Sequence, residues 1–299
     1  MNMGQKYKNL IVALLMMLVM PVAAEAANLT LSAENREFNA GDEFLVELRL
    51  DSAGEKINVV DGMVNFDASK LEVRDISTGG SVFNLWTRTP VYSNDSGKIF
   101  FTGGTTQNSG NGKILSIVFL AKSSGDAEIN ISPDSSAYLA DGKGTKETLT
   151  TASKQITINA GLKQPAASDA WTKILASDKT PPENLNVALG RDSSMFGGKY
   201  FLSFSSADQS SGVNYFQVQE GDLPAINSES PYVLKDQSLK SQVKIAAFDK
   251  AGNTSVIVVD PAKLKAKSFG LWQFIVIVLS LLLIGVTFIK YKKKKSSKA

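Results

Sequence analysis

The sequence predicts an all-β chain of two tandem β-sandwiches, set between an N-terminal signal peptide and one C-terminal transmembrane helix. Three observations predict it. Apolar and polar residues alternate with period two over many short runs. Those runs are separated by turns rich in Gly, Ser and Asp, and the two ends of the chain are apolar in two different ways. "NVVDGMVNFDASKLEV", residues 59 to 74, shows the pattern best. Val60, Gly62, Val64 and Phe66 fall on one face and Asp61, Met63 and Asn65 on the other, as in a strand buried on one side. Asp67-Ala-Ser-Lys turns the chain, and Leu71 and Val73 begin the next alternation.

Residues 1–26 have the order of a secretory signal peptide: Lys6 and Lys8, the apolar run Leu10 to Met20, Pro21, and small residues around Ala24-Glu25-Ala26, with cleavage expected after Ala26. That run is too short to cross roughly 30 Å of hydrocarbon at about 1.5 Å per residue. Residues 269–289 are long enough to cross, and Gln273 is their only strongly polar member. Trp272 lies near the outer boundary, where amphipathic rings favour the interface. The tail, residues 290–299, carries Lys290, Lys292 to Lys295 and Lys298, against Lys263, Lys265 and Lys267 before the span, so the tail is expected in the cytoplasm and the bulk of the chain outside. The expected location is the plasma membrane, single-pass, with extracellular N-terminal domains.

The first domain, residues 28–159, reads as strands in "LTLSA", "EFLVELRLD", "NVVDGMVNF", "KIFFTGG", "ILSIVFLAK", "AEINIS" and "KQITIN". "ILSIVFL" is apolar on both faces, the pattern of a central strand. "FTGGTTQNSGNG" reads as a mobile loop, since it lacks the Gly-Lys-Ser/Thr ending of a phosphate-binding loop. Residues 160–180 read as a linker in which a short helix runs from Ser168, as N-cap, through Ala176, with Trp171, Ile174 and Leu175 on one side. Pro181 and Pro182 end it. Residues 181–262 return to six or seven strands in about eighty residues, the density of an immunoglobulin-like or fibronectin-like sandwich.

Composition excludes several chemistries. With no histidine and no cysteine, the chain cannot hold a Ser-His-Asp triad, a cysteine nucleophile, a disulfide, or a thiolate or imidazole metal site. The formal net charge of +3 comes from the tail. Without the signal peptide and tail the exported part has 24 basic and 28 acidic residues, so a nucleic-acid role loses its support. A carboxylate pair can hydrolyse a glycosidic bond, but most acidic residues here fall on turns or solvent faces. Trp86 and Tyr92, in "SVFNLWTRTPVYSNDSG", either stack on a sugar ring or a partner side chain or cap the sandwich core.

At "AGDEFLVELRL", "INVVDGMVNFDASKLEV", "GKIFFTGG" and "GKILSIVFLAK", residues 28–159 resemble a cohesin domain, the β-sandwich module that binds dockerins and shares its fold with some carbohydrate-binding modules. The resemblance implies a jelly-roll sandwich and a non-catalytic binding role. Cellulosomal cohesins commonly carry a polar-x-Asp pair on the strand that here holds Val59 and Asp61: Asp61 matches the acidic position, and Val59 removes one hydrogen-bonding group from the other. The chain carries no dockerin of its own. "DSAGEKINVVDG" begins like a calcium loop, but Ala53, Lys56 and Gly62 stand where a ligand, the turn glycine and the bidentate glutamate belong.

The second domain is similar to bacterial immunoglobulin-like modules through "DKTPP", "SADQSSGV", "SPYVLKDQ" and "AAFDKAGNTS". Asp178, Asp208 and Asp249 have two readings: each serves its own turn by bonding local amides, or the three converge on calcium between the domains. No other cofactor is expected. The expected function is a membrane-anchored, non-catalytic cell-surface protein that displays a cohesin-like module to a dockerin-like protein or a polysaccharide, with Asp61, Trp86 and Tyr92 as candidate partner-binding residues. Direct carbohydrate binding without a dockerin, and a structural envelope or adhesion role, are the alternatives.

Overall fold

The computed structural model describes residues 26–34, 37–109, 111–161 and 170–266. The predicted signal peptide and transmembrane span lie outside these residues. Among the described residues no helix is long and apolar enough to cross a membrane. The described residues divide into two compact units, one within residues 26–76 and 85–161, the other within residues 77–84 and 170–266. Part of the stretch read as a linker therefore clusters with the second unit.

The first unit contains β1 (Ala27–Ala33), β2 (Phe38–Asn39), β3 (Glu43–Asp51), β4 (Ile57–Phe66), β5 (Leu71–Ser77), β6 (Leu85–Ser93), β7 (Lys98–Ser109), β8 (Gly112–Ala121), β9 (Gly125–Ile131), β10 (Ser136–Leu139), β11 (Lys146–Glu147), β12 (Leu149–Thr151) and β13 (Ser153–Asn159). One sheet runs β12-β1-β3-β8-β5. The other runs β11-β10-β4-β9-β13-β2, with β7 paired to β4 and β6 to β7. The sheets share one aromatic core. Phe38 of β2 stacks on Phe44 of β3 at 4.1 Å, and Phe66 of β4 meets Phe119 of β8 edge-on at 5.3 Å.

Strand β3 shows why the pattern folds this way. Phe44, Val46, Leu48 and Leu50 are buried, while Glu47, Arg49 and Asp51 face out. In β8, Ile114 to Phe119 are all buried, as the two-faced apolar run predicts for a strand lying between β3 and β5. In β1, Leu29 is buried but Leu31 and Ala33 only half so, since this end of the strand rises out of the core.

Residues 98–104 form a strand as expected, and residues 105–109, read only as part of a mobile loop, are strand as well. Residues 101–109 continue β7, pairing Gly103 with Val60 and Gly104 with Val59. The glycines serve close approach: a β-carbon on Gly104 would stand 2.7 Å from Asn58 O. Gly62 of β4 works the same way. It pairs directly with Phe101, whose ring covers it so closely that a β-carbon would meet the ring at 2.1 Å.

The second unit contains α1 (Ala170–Ser177), β14 (Glu183–Arg191), β15 (Tyr200–Ala207), β16 (Val213–Glu220), β17 (Ile226–Ser228), β18 (Tyr232–Val233), β19 (Val243–Asp249), β20 (Thr254–Val259) and α2 (Pro261–Ala266). Two sheets, β14-β15-β18 and β17-β16-β19-β20, enclose one core made of Leu202, Phe204, Val218, Tyr232, Val243, Ile245 and their neighbours. The predicted short helix is present as α1 with Trp171 buried, and its expected N-cap Ser168 lies outside the described residues. Gly190 repeats the device of the first unit, pairing with Phe201, whose ring a β-carbon would meet at 2.3 Å.

Candidate functional site

Strand β4 places Asp61. Val60, Gly62, Val64 and Phe66 are buried, Asp61 is exposed, and Met63 and Asn65 are half-buried on its side, which is the alternation the sequence predicts. The register then places partners beside each outward residue, because residues directly opposite in a ladder share a face. Asp61 lies between Thr102 of β7 and Ser136 of β10, and Arg88 of β6 lies beyond Thr102. Met63 pairs with Phe100, which pairs with Val91 of β6. Val59 pairs with Tyr138 of β10 on its other side.

The outer face of this sheet therefore carries a polar row, Arg88–Thr102–Asp61–Ser136. An apolar row, Val91–Phe100–Met63, borders it on one side, and Val59–Tyr138 borders it on the other. Val91 is 50% exposed. Thr102 Oγ1 donates to Asp61 Oδ1 at 2.9 Å, which orients the carboxylate. Lys146 Nζ lies 5.9 Å from the Tyr138 ring centroid. A face of hydrogen-bonding groups flanked by partly exposed apolar side chains suits a protein partner, which excludes water from such groups as it docks.

The three predicted partner-binding residues do not share this face. Trp86 pairs with Gly103, on the core side of β7, and lies edge-on to the buried Phe101 at 6.4 Å. Tyr92 pairs with Ile99, also of core-side parity, yet is 43% exposed at the sheet edge, where its hydroxyl donates to Arg74 O at 3.4 Å. Register shifts in β6 between Trp86 and Arg88, and again between Arg88 and Val91, separate these rings from Asp61. Met63 stands on Asp61's side as the alternation predicts. Phe100 and Arg88 were not legible as its neighbours, because pairing between distant strands leaves no local signal.

Asp178, Asp208 and Asp249 do come together. All three belong to the second unit, and one carboxylate oxygen from each lies within 4.8 Å of the others.

Residues 28–160 match the cohesin domain family. The matched stretch takes in all thirteen described strands of the first unit except Ala27 of β1, together with residues 77–84. No curated protein matches the chain. Similar solved structures include the cohesin module from a Clostridium perfringens ATCC13124 family 33 glycoside hydrolase, at 16% identity over 45% of this chain and 97% of that one, with a TM-score of 0.37. A non-cellulosomal cohesin from the archaeon Archaeoglobus fulgidus matches at 15% identity, 45% and 92% coverage and a TM-score of 0.38. The sixth cohesin of Acetivibrio cellulolyticus scaffoldin B, solved in complex with a Cel5 dockerin mutant, matches at 22% identity, 45% and 100% coverage and a TM-score of 0.37.

Proposed function

We propose that the cohesin-like unit is a non-catalytic protein-recognition module that takes a dockerin-bearing partner on the outer face of β4, β7 and β10. The observation that carries this reading is the row Arg88–Thr102–Asp61–Ser136 between two apolar borders, within the stretch that matches the cohesin family. Val59, on one of those borders, makes the face more apolar there, so the expected partner offers an apolar group opposite it.

The test is capture of dockerin-bearing proteins, from a dockerin panel and from the organism's own secreted proteins, on the immobilised full chain. Removing a charged hydrogen-bonding group from an interface costs about 1.5 to 3 kcal/mol, so Asp61→Ala should weaken capture roughly ten- to a hundredfold. A folded Asp61→Ala chain that captures at wild-type strength places the binding face elsewhere, with the Trp86 to Tyr92 segment next. Capture of polysaccharide alone overturns the protein-partner reading.

Display at the cell surface completes the proposal, supported by the ordered zones of residues 1–26, the apolar residues 269–289 and the lysine-rich tail. Protease added to intact cells should digest residues 27–268 and spare the tail. A chain that stays wholly protected defeats this part of the reading.

A further inference from the structure

The second unit contains a polar cluster that the partner face does not use. Asp178 directly follows α1, Asp208 directly follows β15, and Asp249 is the last residue of β19. Their exposures are 5%, 3% and 1%. Gathering three carboxylates out of water is unfavourable unless something compensates. Burial pushes the Asp208 carboxyl above its ordinary value, and the nearby charges of Asp178 and Asp249 push in the same direction against the Gly212 and Ser210 amides.

Turn amides compensate in part. Asp178 Oδ1 accepts from Thr180 N at 3.0 Å and Thr180 Oγ1 at 2.8 Å, and its Oδ2 accepts from Ser211 N at 3.2 Å. Asp208 Oδ1 accepts from Ser210 N at 3.1 Å and Gly212 N at 2.6 Å. Asp249 accepts from Asn253 N at 2.8 Å and Asn253 Nδ2 at 2.9 Å. These bonds account for an aspartate at each turn. They do not account for three turns delivering their charges to one point.

A separate observation concerns Ser211. The residue is 0% exposed, and its Oγ makes no hydrogen bond of normal geometry. The residue lies against the cluster, its backbone amide donating to Asp178 Oδ2 at 3.2 Å. A buried hydroxyl without a partner costs free energy, and its oxygen retains lone pairs for a ligand.

We propose that Asp178, Asp208, Asp249 and the Ser211 hydroxyl hold one hard divalent cation of the calcium class. Three carboxylate oxygens within 4.8 Å of one another lie close to the spacing that one ion with bonds of about 2.4 Å requires, and carboxylate and hydroxyl oxygens are the donors calcium takes. Magnesium keeps several of its waters and demands a near-ideal octahedron, which suits three buried carboxylates less well. The ion would offset the gathered charge, satisfy Ser211 Oγ, and tie the end of α1 to the turns that follow β15 and β19.

The test is calorimetric titration of calcium chloride into the chelator-stripped full chain, with thermal unfolding followed in parallel. One saturable site per chain is expected. At about a hundredfold excess over Kd, the second unit's melting temperature should rise by about 10 to 20 °C. Asp208→Asn and Asp249→Asn should each weaken binding at least tenfold, and Ser211→Ala should weaken it less. Without calcium, Asp208→Asn should melt no lower than calcium-free wild type, because the amide keeps the turn bonds and removes a repelled charge. A wild-type chain that shows no saturable heat and no calcium-dependent melting overturns the proposal. So does undiminished binding in both carboxylate variants, or a calcium-free Asp208→Asn chain that melts well below calcium-free wild type, which would make the aspartate a turn residue alone.

Discussion

Replacing Phe66 with alanine should destabilise the cohesin-like unit by about 3 to 5 kcal/mol, through lost burial and the cavity left behind. The ring is 6% exposed and sits edge-on to Phe119 at 5.3 Å. Phe119 in turn stacks on Phe44 at 5.9 Å, and Phe44 on Phe38 at 4.1 Å. Phe66 and Phe38 belong to one sheet and Phe44 and Phe119 to the other, so the loss is felt across the whole sandwich. Asp61, five residues earlier on the opposite face, should tolerate alanine within about 0.5 kcal/mol. Urea denaturation of both variants, followed by far-ultraviolet circular dichroism, measures the contrast. Equal losses would show that β4 does not present these two residues to opposite sides.

Glu220→Ala should cost the second unit about 3 kcal/mol, because it removes a buried acceptor and strands its donors. Glu220 is 4% exposed at the end of β16. Its Oε2 accepts from the Tyr232 hydroxyl at 2.9 Å and the Lys235 amide at 2.9 Å, and its Oε1 accepts from the Asp236 amide. Burial, with the Glu220 hydrogen bond and charge adding to it, pushes the Tyr232 phenol up to about 12. The phenol therefore stays protonated and donates throughout the neutral range. Glu220→Gln keeps the acceptor for Tyr232 and Lys235 but turns a donor toward the Asp236 amide, and should cost about 2 kcal/mol. Thermal melting of the second unit separates the two substitutions, and an alanine variant no weaker than the glutamine one would show that water replaces these bonds.

Period-two alternation made β3 and β4 legible residue by residue, since each has one buried face. It left residues 101–104 both as the end of a strand and as the start of a loop, and it failed at residues 105–109. Gly103 and Gly104 look like loop residues, although their small size is what lets β7 lie close to β4. Nothing local distinguishes a glycine that bends the chain from one that admits a neighbouring strand. The candidate site was legible in part for a related reason. Asp61 could be assigned to a face from β4 alone, whereas Trp86 and Tyr92 lie on a strand whose two register shifts break the count that would have related them to it. The three aspartates were legible because each precedes a turn. Ser211, in the run Ser210-Ser211-Gly212, differs from its neighbours only through burial that the tertiary fold imposes.

The β6–β7 hairpin also bears on how copies of this chain behave beside one another. Among the described residues β6 pairs only with β7, so its far side is a free sheet margin, and Leu85, Val91 and Tyr92 on it are all exposed. Such a margin is a template for strand-to-strand aggregation. Here Pro90 lacks an amide donor within the strand, Arg88 adds a charge, and the two register shifts interrupt its straight run. A second chain approaching this margin meets a broken ladder, which works against crowded copies fusing into a continuous sheet.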